Sequence, residues 1–147
     1  MMQPYPHTYT AAASGQPEGA IGLTSQGLPE IATASPPEFG GPGGVWSPET
    51  LLCASIADCF VLSFRAVARA SKVEWSEVAC RVEGVLERVD GVAQFTRYRL
   101  FARLAVPSKA AGERATTLLE KAERICLVSS SLRGERTLVT EIIVAGG

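Results

Sequence analysis

SPETLLCASIADCFVLSF, residues 47–64, decides the fold. Ser47 suits a helix N-cap, Pro48 the first helical turn and Glu49 the positive end of the helix dipole. From Leu51 to Ala70, residues Leu52, Ile56, Cys59 and Ser63 follow the rhythm of one helical face, with Phe60, Phe64 and Val67 beside it. Only Asp58, Arg65 and Arg69 bring charge. The helix is apolar around most of its circumference and is expected to be central and buried. Two readings of its thiols stand open: core filler, or a reactive thiol held in a dry site.

Working outward, SPPEFGGPGGVW, residues 35–46, holds four glycines and three prolines in twelve positions and must be a loop. Before it, residues 1–46 are poor in charge, with HTYTAAA, AIGL and LPEIATA separated by GQPEG and TSQG. That pattern predicts short strands joined by turns. After the helix, EVACRVEGVLERV and AQFTRYRLFARLAV alternate apolar and polar residues around VDGV. A hairpin of two long antiparallel strands follows, with Asp90 and Gly91 at its turn. Ala111, Ala115, Leu118, Leu119, Ala122 and Ile125 recur with helical spacing, SSSLRGE punctuates the run, and TLVTEIIV reads as a last strand.

This order makes an α+β fold, with residues 1–147 expected to form a single domain. The first helix is too apolar for a small monomer to hide, so a homodimer with an extensive interface is expected. Fourteen Lys and Arg stand against fifteen Asp and Glu, a net charge of -1, with no basic run to meet a row of phosphates. No nucleic-acid partner is expected. Ser, Asp and Arg interrupt the apolar stretches before the roughly 20 residues of a membrane-spanning helix, and MMQPYPHTYT lacks the pattern of a signal peptide. A cytoplasmic protein without a membrane partner is the expectation. Cys53, Cys59, Cys80 and Cys126 form no CxxC pair, and His7 is the only histidine, so no zinc site or other cofactor is expected.

GGPGGVWSPETLLCASIADCF and AERICLVSSSLRG resemble the two signatures of the OsmC/Ohr family, the osmotically inducible and organic hydroperoxide resistance proteins. Glu49 and Cys59 keep the ten-residue offset of the first signature, and Cys126 takes the cysteine position of the second. The resemblance implies an OsmC-like fold, with antiparallel sheets, a buried central helix and an intertwined homodimer. It also implies a thiol peroxidase acting on organic hydroperoxides, with Cys59 attacking, Cys126 resolving through a disulfide, Glu49 at the site, and an external dithiol of lipoyl type as reductant. Cys53 and Cys80 match no position of either signature and read as structural.

The chain departs from the family where the site needs a cation. The peroxidase branch of the family carries an arginine in its N-terminal turn, whereas SGQPEG, residues 14–19, has none, and no lysine or arginine precedes Arg65. Arg65, Arg97, Arg99 and Arg103 are the candidate replacements. Leu127 stands where the family has proline, and Ser129, Ser130 and Ser131 read as helix-end and turn residues. Ten residues of helix place Glu49 and Cys59 about 15 Å apart along the axis, so contact needs either a break in the helix or a second subunit. An alternative follows from the missing arginine: a non-catalytic relative that binds a small apolar ligand or senses redox state.

Overall fold

The structure is a computed structural model that describes residues 2–146. The chain divides between Leu51 and Leu52 into two compact units. The first unit holds β1 (Ala12–Ser14), β2 (Ile21–Thr24) and β3 (Ile31–Thr33), which pair antiparallel in that order. The Gly/Pro-rich loop after them is set by close approach. A Cβ on Gly41 would lie 1.6 Å from the Ser35 carbonyl oxygen. At the loop's end Ser47 caps helix α1 (Pro48–Ser71) reciprocally with Thr50. Ser47 N–H donates to Thr50 Oγ1 at 2.9 Å, and Thr50 N–H donates to Ser47 Oγ at 3.1 Å.

The second unit takes in most of α1, then β4 (Glu77–Val89), β5 (Val92–Val106), α2 (Lys109–Ile125), the short α3 (Leu127–Ser130) and β6 (Glu135–Val144). Asp90 and Gly91 both have positive φ, 51° and 79°, the two-residue turn whose twist matches a hairpin. β4 and β5 pair antiparallel, with a register shift at Val85 and Leu86. β6 pairs with β5 in parallel, so this sheet is mixed in the order β4-β5-β6. Parallel neighbours need a crossover, and α2 with α3 supplies it.

One face of that sheet makes the core. Tyr98, Leu100, Ala102, Leu104 and Val106 alternate inward along β5 and pack with Ile56, Phe60, Phe64, Val67 and Ala68 of α1. From α2 come Ala115, Leu118, Leu119 and Ala122, while Ile125 at its last turn stays half-exposed. Trp75 meets Phe64 edge to face at 5.4 Å between ring centroids. The buried stripe of α1 is therefore rotated from the sequence reading: Phe60 and Phe64 lead it, and Cys59 and Ser63 lie at its margin. Away from this face, Leu62 is 52 % exposed. By length and composition α1 is nonetheless able to cross a membrane, contrary to the expectation drawn from its interruptions. Its residues packed into the core mark it as a core helix.

Phe60→Ala is expected to destabilise the fold by about 3–5 kcal/mol, as a large aromatic deletion in a filled core does, measured by denaturant unfolding. Gly41→Ala, which forces a backbone collision, is expected to loosen the loop, read as faster proteolysis between Ser35 and Trp46.

Candidate functional site

Cys59 lies midway along α1, half-buried. Cys126 is fully buried where α2 ends, with extended backbone angles of -60° and 109° that break the helical run before α3 begins. Lys109–Ile125 is long enough to form a helix, but Cys126 turns the chain so that its side chain enters the core beneath α1. The two thiols become neighbours although 67 positions separate them in sequence. All four cysteines are free thiols.

Their surroundings differ. Burial pushes the Cys126 thiol above its ordinary range; the hydroxyl and backbone N–H of Ser129 oppose that by hydrogen bonding, and the adjacent Cys59 thiol adds to the rise. Cys80, on the inward face of β4, rises from the usual value near 9 to about 11, through burial first and the charge of Cys126 second. Burial likewise raises Cys53, against a hydrogen bond from the Gly84 backbone. Gly84 is required there: a Cβ would come 2.9 Å from Cys53 Sγ and 3.0 Å from the Phe95 ring.

A guanidinium completes the Cys126 side. Arg136 Nη1 donates to Ser129 Oγ at 2.8 Å, and its Nε lies 3.1 Å from Glu123 Oε1. Arg136 occupies an inward position of β6, opposite the buried Tyr98 of β5. The sequence reading missed this residue. Its signal was present: Arg136, Leu138, Thr140, Ile142 and Val144 share one face under strict alternation, which puts a charge where an apolar residue belongs. Ser129, read as a turn residue, is 1 % exposed and faces Cys126.

The four arginines considered from sequence all stand exposed, because Arg97, Arg99 and Arg103 alternate to the outer face of β5 and Arg65 projects from α1. Arg99 and Arg103 pair there with Glu83 and Glu141. Glu49 lies in the first turn of α1 with its Oε1 buried and without a hydrogen-bond partner. The helix runs unbroken from Pro48 to Ser71, which removes a helix break as the route from Glu49 to Cys59. Among the described residues no cluster of three or more His, Cys, Asp or Glu has the arrangement of a metal site.

Residues 41–141 match the family model described as OsmC-like protein. The chain belongs to this family. An organic hydroperoxide resistance protein of Xanthomonas axonopodis pv. citri is 31 % identical over 130 residues, covering 87 % of this chain and 88 % of that protein. The uncharacterized protein YmaD of Bacillus subtilis is 26 % identical over 146 residues, 96 % of each chain. A crystal structure of an organic hydroperoxide resistance protein OsmC from Legionella pneumophila superposes with a TM-score of 0.73 at 29 % identity, covering 96 % of this OsmC-like chain and all of that one.

The raised thiols carry a pH dependence. A thiol held above its unfolded value contributes stability that is fully present below that value and is lost as pH rises through the folded one. Cys80 therefore predicts a loss of stability between pH about 9 and about 11, and Cys80→Ala should flatten that limb of the unfolding midpoint plotted against pH.

Proposed function

We propose that this chain is a cysteine-based peroxidase for organic hydroperoxides. The reading is supported by membership of the OsmC-like family and by relatives named for organic hydroperoxide resistance. The observation that carries it is the pairing of two distant free thiols, Cys59 and Cys126, in an apolar setting. In this mechanism the Cys59 thiolate attacks the terminal peroxide oxygen. The O–O bond breaks, the alcohol leaves with a proton, and Cys59 becomes a sulfenic acid. Cys126 then attacks that sulfur, the S–O bond breaks, water leaves, and a Cys59–Cys126 disulfide forms. An external dithiol, of lipoyl type in this reading, reduces the disulfide by exchange through a mixed disulfide. Cys59 is half-buried at the margin of the apolar core, a setting that favours an alkyl hydroperoxide over hydrogen peroxide, since buried alkyl surface contributes about 25 cal/mol per Å².

The working form is proposed to be a homodimer. Leu62, half-exposed on α1, would be covered by a second copy, and Glu49 Oε1, buried and without a hydrogen-bond partner, would find one across the interface. Sedimentation should give a dimer, and Leu62→Glu should shift it toward monomer.

A second reading has its own observation. No lysine or arginine precedes Arg65, and the candidate arginines face solvent, which favours a thiol protein that senses oxidants or binds a small apolar ligand without turnover. Treatment with one equivalent of an alkyl hydroperoxide, followed by disulfide mapping by mass spectrometry, separates the two. The peroxidase is expected to consume the peroxide and link Cys59 to Cys126. Cys59→Ser should abolish consumption, and Cys126→Ser should consume one equivalent and stop at the sulfenic acid. An unchanged thiol count in the wild type overturns the proposal; a disulfide that forms once, without dithiol-driven turnover, marks the sensor.

A further inference from the structure

Ser129 is buried against Cys126, and its hydroxyl oxygen is already engaged by the Arg136 guanidinium at 2.8 Å. Arg136 also reaches Ser130 Oγ at 3.4 Å. A hydroxyl whose lone pairs receive a cationic donor has its proton free for an acceptor on the other side. Two such acceptors belong to Cys126: its carbonyl oxygen, 3.4 Å from Ser129 Oγ, and its sulfur. Glu123, one turn back on α2, forms an ion pair with Arg136, its Oε1 3.1 Å from Nε but outside hydrogen-bond geometry. The result is a row of polar contacts from β6 to the Ser129 hydroxyl, beside the residue that carries the thiol at the end of α2.

We propose that Arg136 is a positioning residue for Cys126, acting through the Ser129 hydroxyl to favour the Cys126 thiolate in the disulfide-closing step. The purpose of this relay rests on the peroxidase reading; its geometry rests on the Arg136–Ser129 hydrogen bond and on Ser129 buried one helical turn from Cys126. In that step the Cys126 thiolate forms the S–S bond while the Cys59 sulfenic oxygen leaves as hydroxide and takes a proton to become water. Ser129, polarised by Arg136, donates to the attacking sulfur before the bond forms. The charge of Arg136 reaches Cys126 only through that hydroxyl, and Glu123 offsets it.

The groups that act on Cys126 come from each neighbouring element. Cys59 on α1 and Cys80 on β4 disfavour its thiolate when they are themselves ionised. Glu123 on α2 disfavours it, Arg136 on β6 favours it through Ser129, and Tyr98, opposite Arg136 on β5, is held neutral by burial and by the charge of Cys53. Removing the guanidinium and removing the Glu123 charge should therefore move Cys126 in opposite directions. A purely structural role would not have that signature.

The test uses the full chain carrying Cys53→Ser, Cys59→Ser and Cys80→Ser, so that Cys126 is the only thiol, and follows thiolate ultraviolet absorbance against pH. Arg136→Gln should raise the midpoint by about one unit, a tenfold loss of thiolate at neutral pH. Arg136→Lys should recover part of that shift, Ser129→Ala should move the midpoint the same way as Arg136→Gln, and Glu123→Gln should lower it. An unchanged midpoint in Arg136→Gln, or in Ser129→Ala should the arginine variant fail to fold, overturns the proposal. In the chain with all four cysteines, stopped-flow after alkyl hydroperoxide should show Arg136→Gln closing the disulfide about tenfold more slowly, with Cys59 oxidation unchanged and the rate restored one pH unit higher. Equal closing rates for wild type and Arg136→Gln also overturn it. If the wild type consumes no peroxide while the midpoints shift as described, the peroxidase reading fails and the relay stands.

Discussion

The packing of α1 against β5 is the contact on which the second unit depends. Ile56, Phe60 and Phe64 meet the inward row Leu100, Ala102 and Leu104, and these residues are nearly or wholly removed from solvent. Apolar burial is non-directional, but aromatic side chains at four-residue spacing against a pleated row allow few rotations of the helix. That rotation sets Cys59 at the margin of the stripe, covered on one side and open on the other. The strand that receives the helix also leads into α2, whose crossover returns β6 in parallel beside β5 and carries Cys126 to the underside of α1.

Dry thiols are poor nucleophiles unless something favours their ionised form. Burial raises Cys53, Cys80 and Cys126 alike, but only Cys126 has both a hydroxyl and a backbone donor set against that rise, and that hydroxyl is itself bonded by the Arg136 guanidinium. Cys80 has no such opposition and sits at about 11. The difference comes from where α2 stops. The break at Cys126 ends α2 and starts α3, which carries the buried Ser129 beside Cys126.

Several elements were legible because their signals are local. Ser47 and Thr50 cap α1 across three residues, and Asp90 and Gly91 close a hairpin across two. That Cys59 and Cys126 lie near one another was legible through resemblance, whereas the position of Arg136 was not. Arg97, Arg99 and Arg103 sit on alternate positions of β5, and nothing within the strand says which face is inward until α1 and α2 cover the other one. The rotation of the α1 stripe was misread for a related reason. A helix apolar on nearly all sides carries little information about which side will be buried. The parallel pairing of β6 depended on the length of the crossover, which the strand pattern itself does not encode.

By itself, then, the sequence determined the order of elements, the capped start of α1, the hairpin turn and the membership of an OsmC-like family. Each rests on contacts between residues close in the chain or on residue types at set spacings. Only the tertiary structure decided that Cys59 borders the core rather than leading it, that the arginines of β5 face outward, and that Arg136 and Ser129 stand behind Cys126. Those facts depend on how sheet and helices close over one another. Burial and charge pairing act between residues that the chain keeps far apart until it folds.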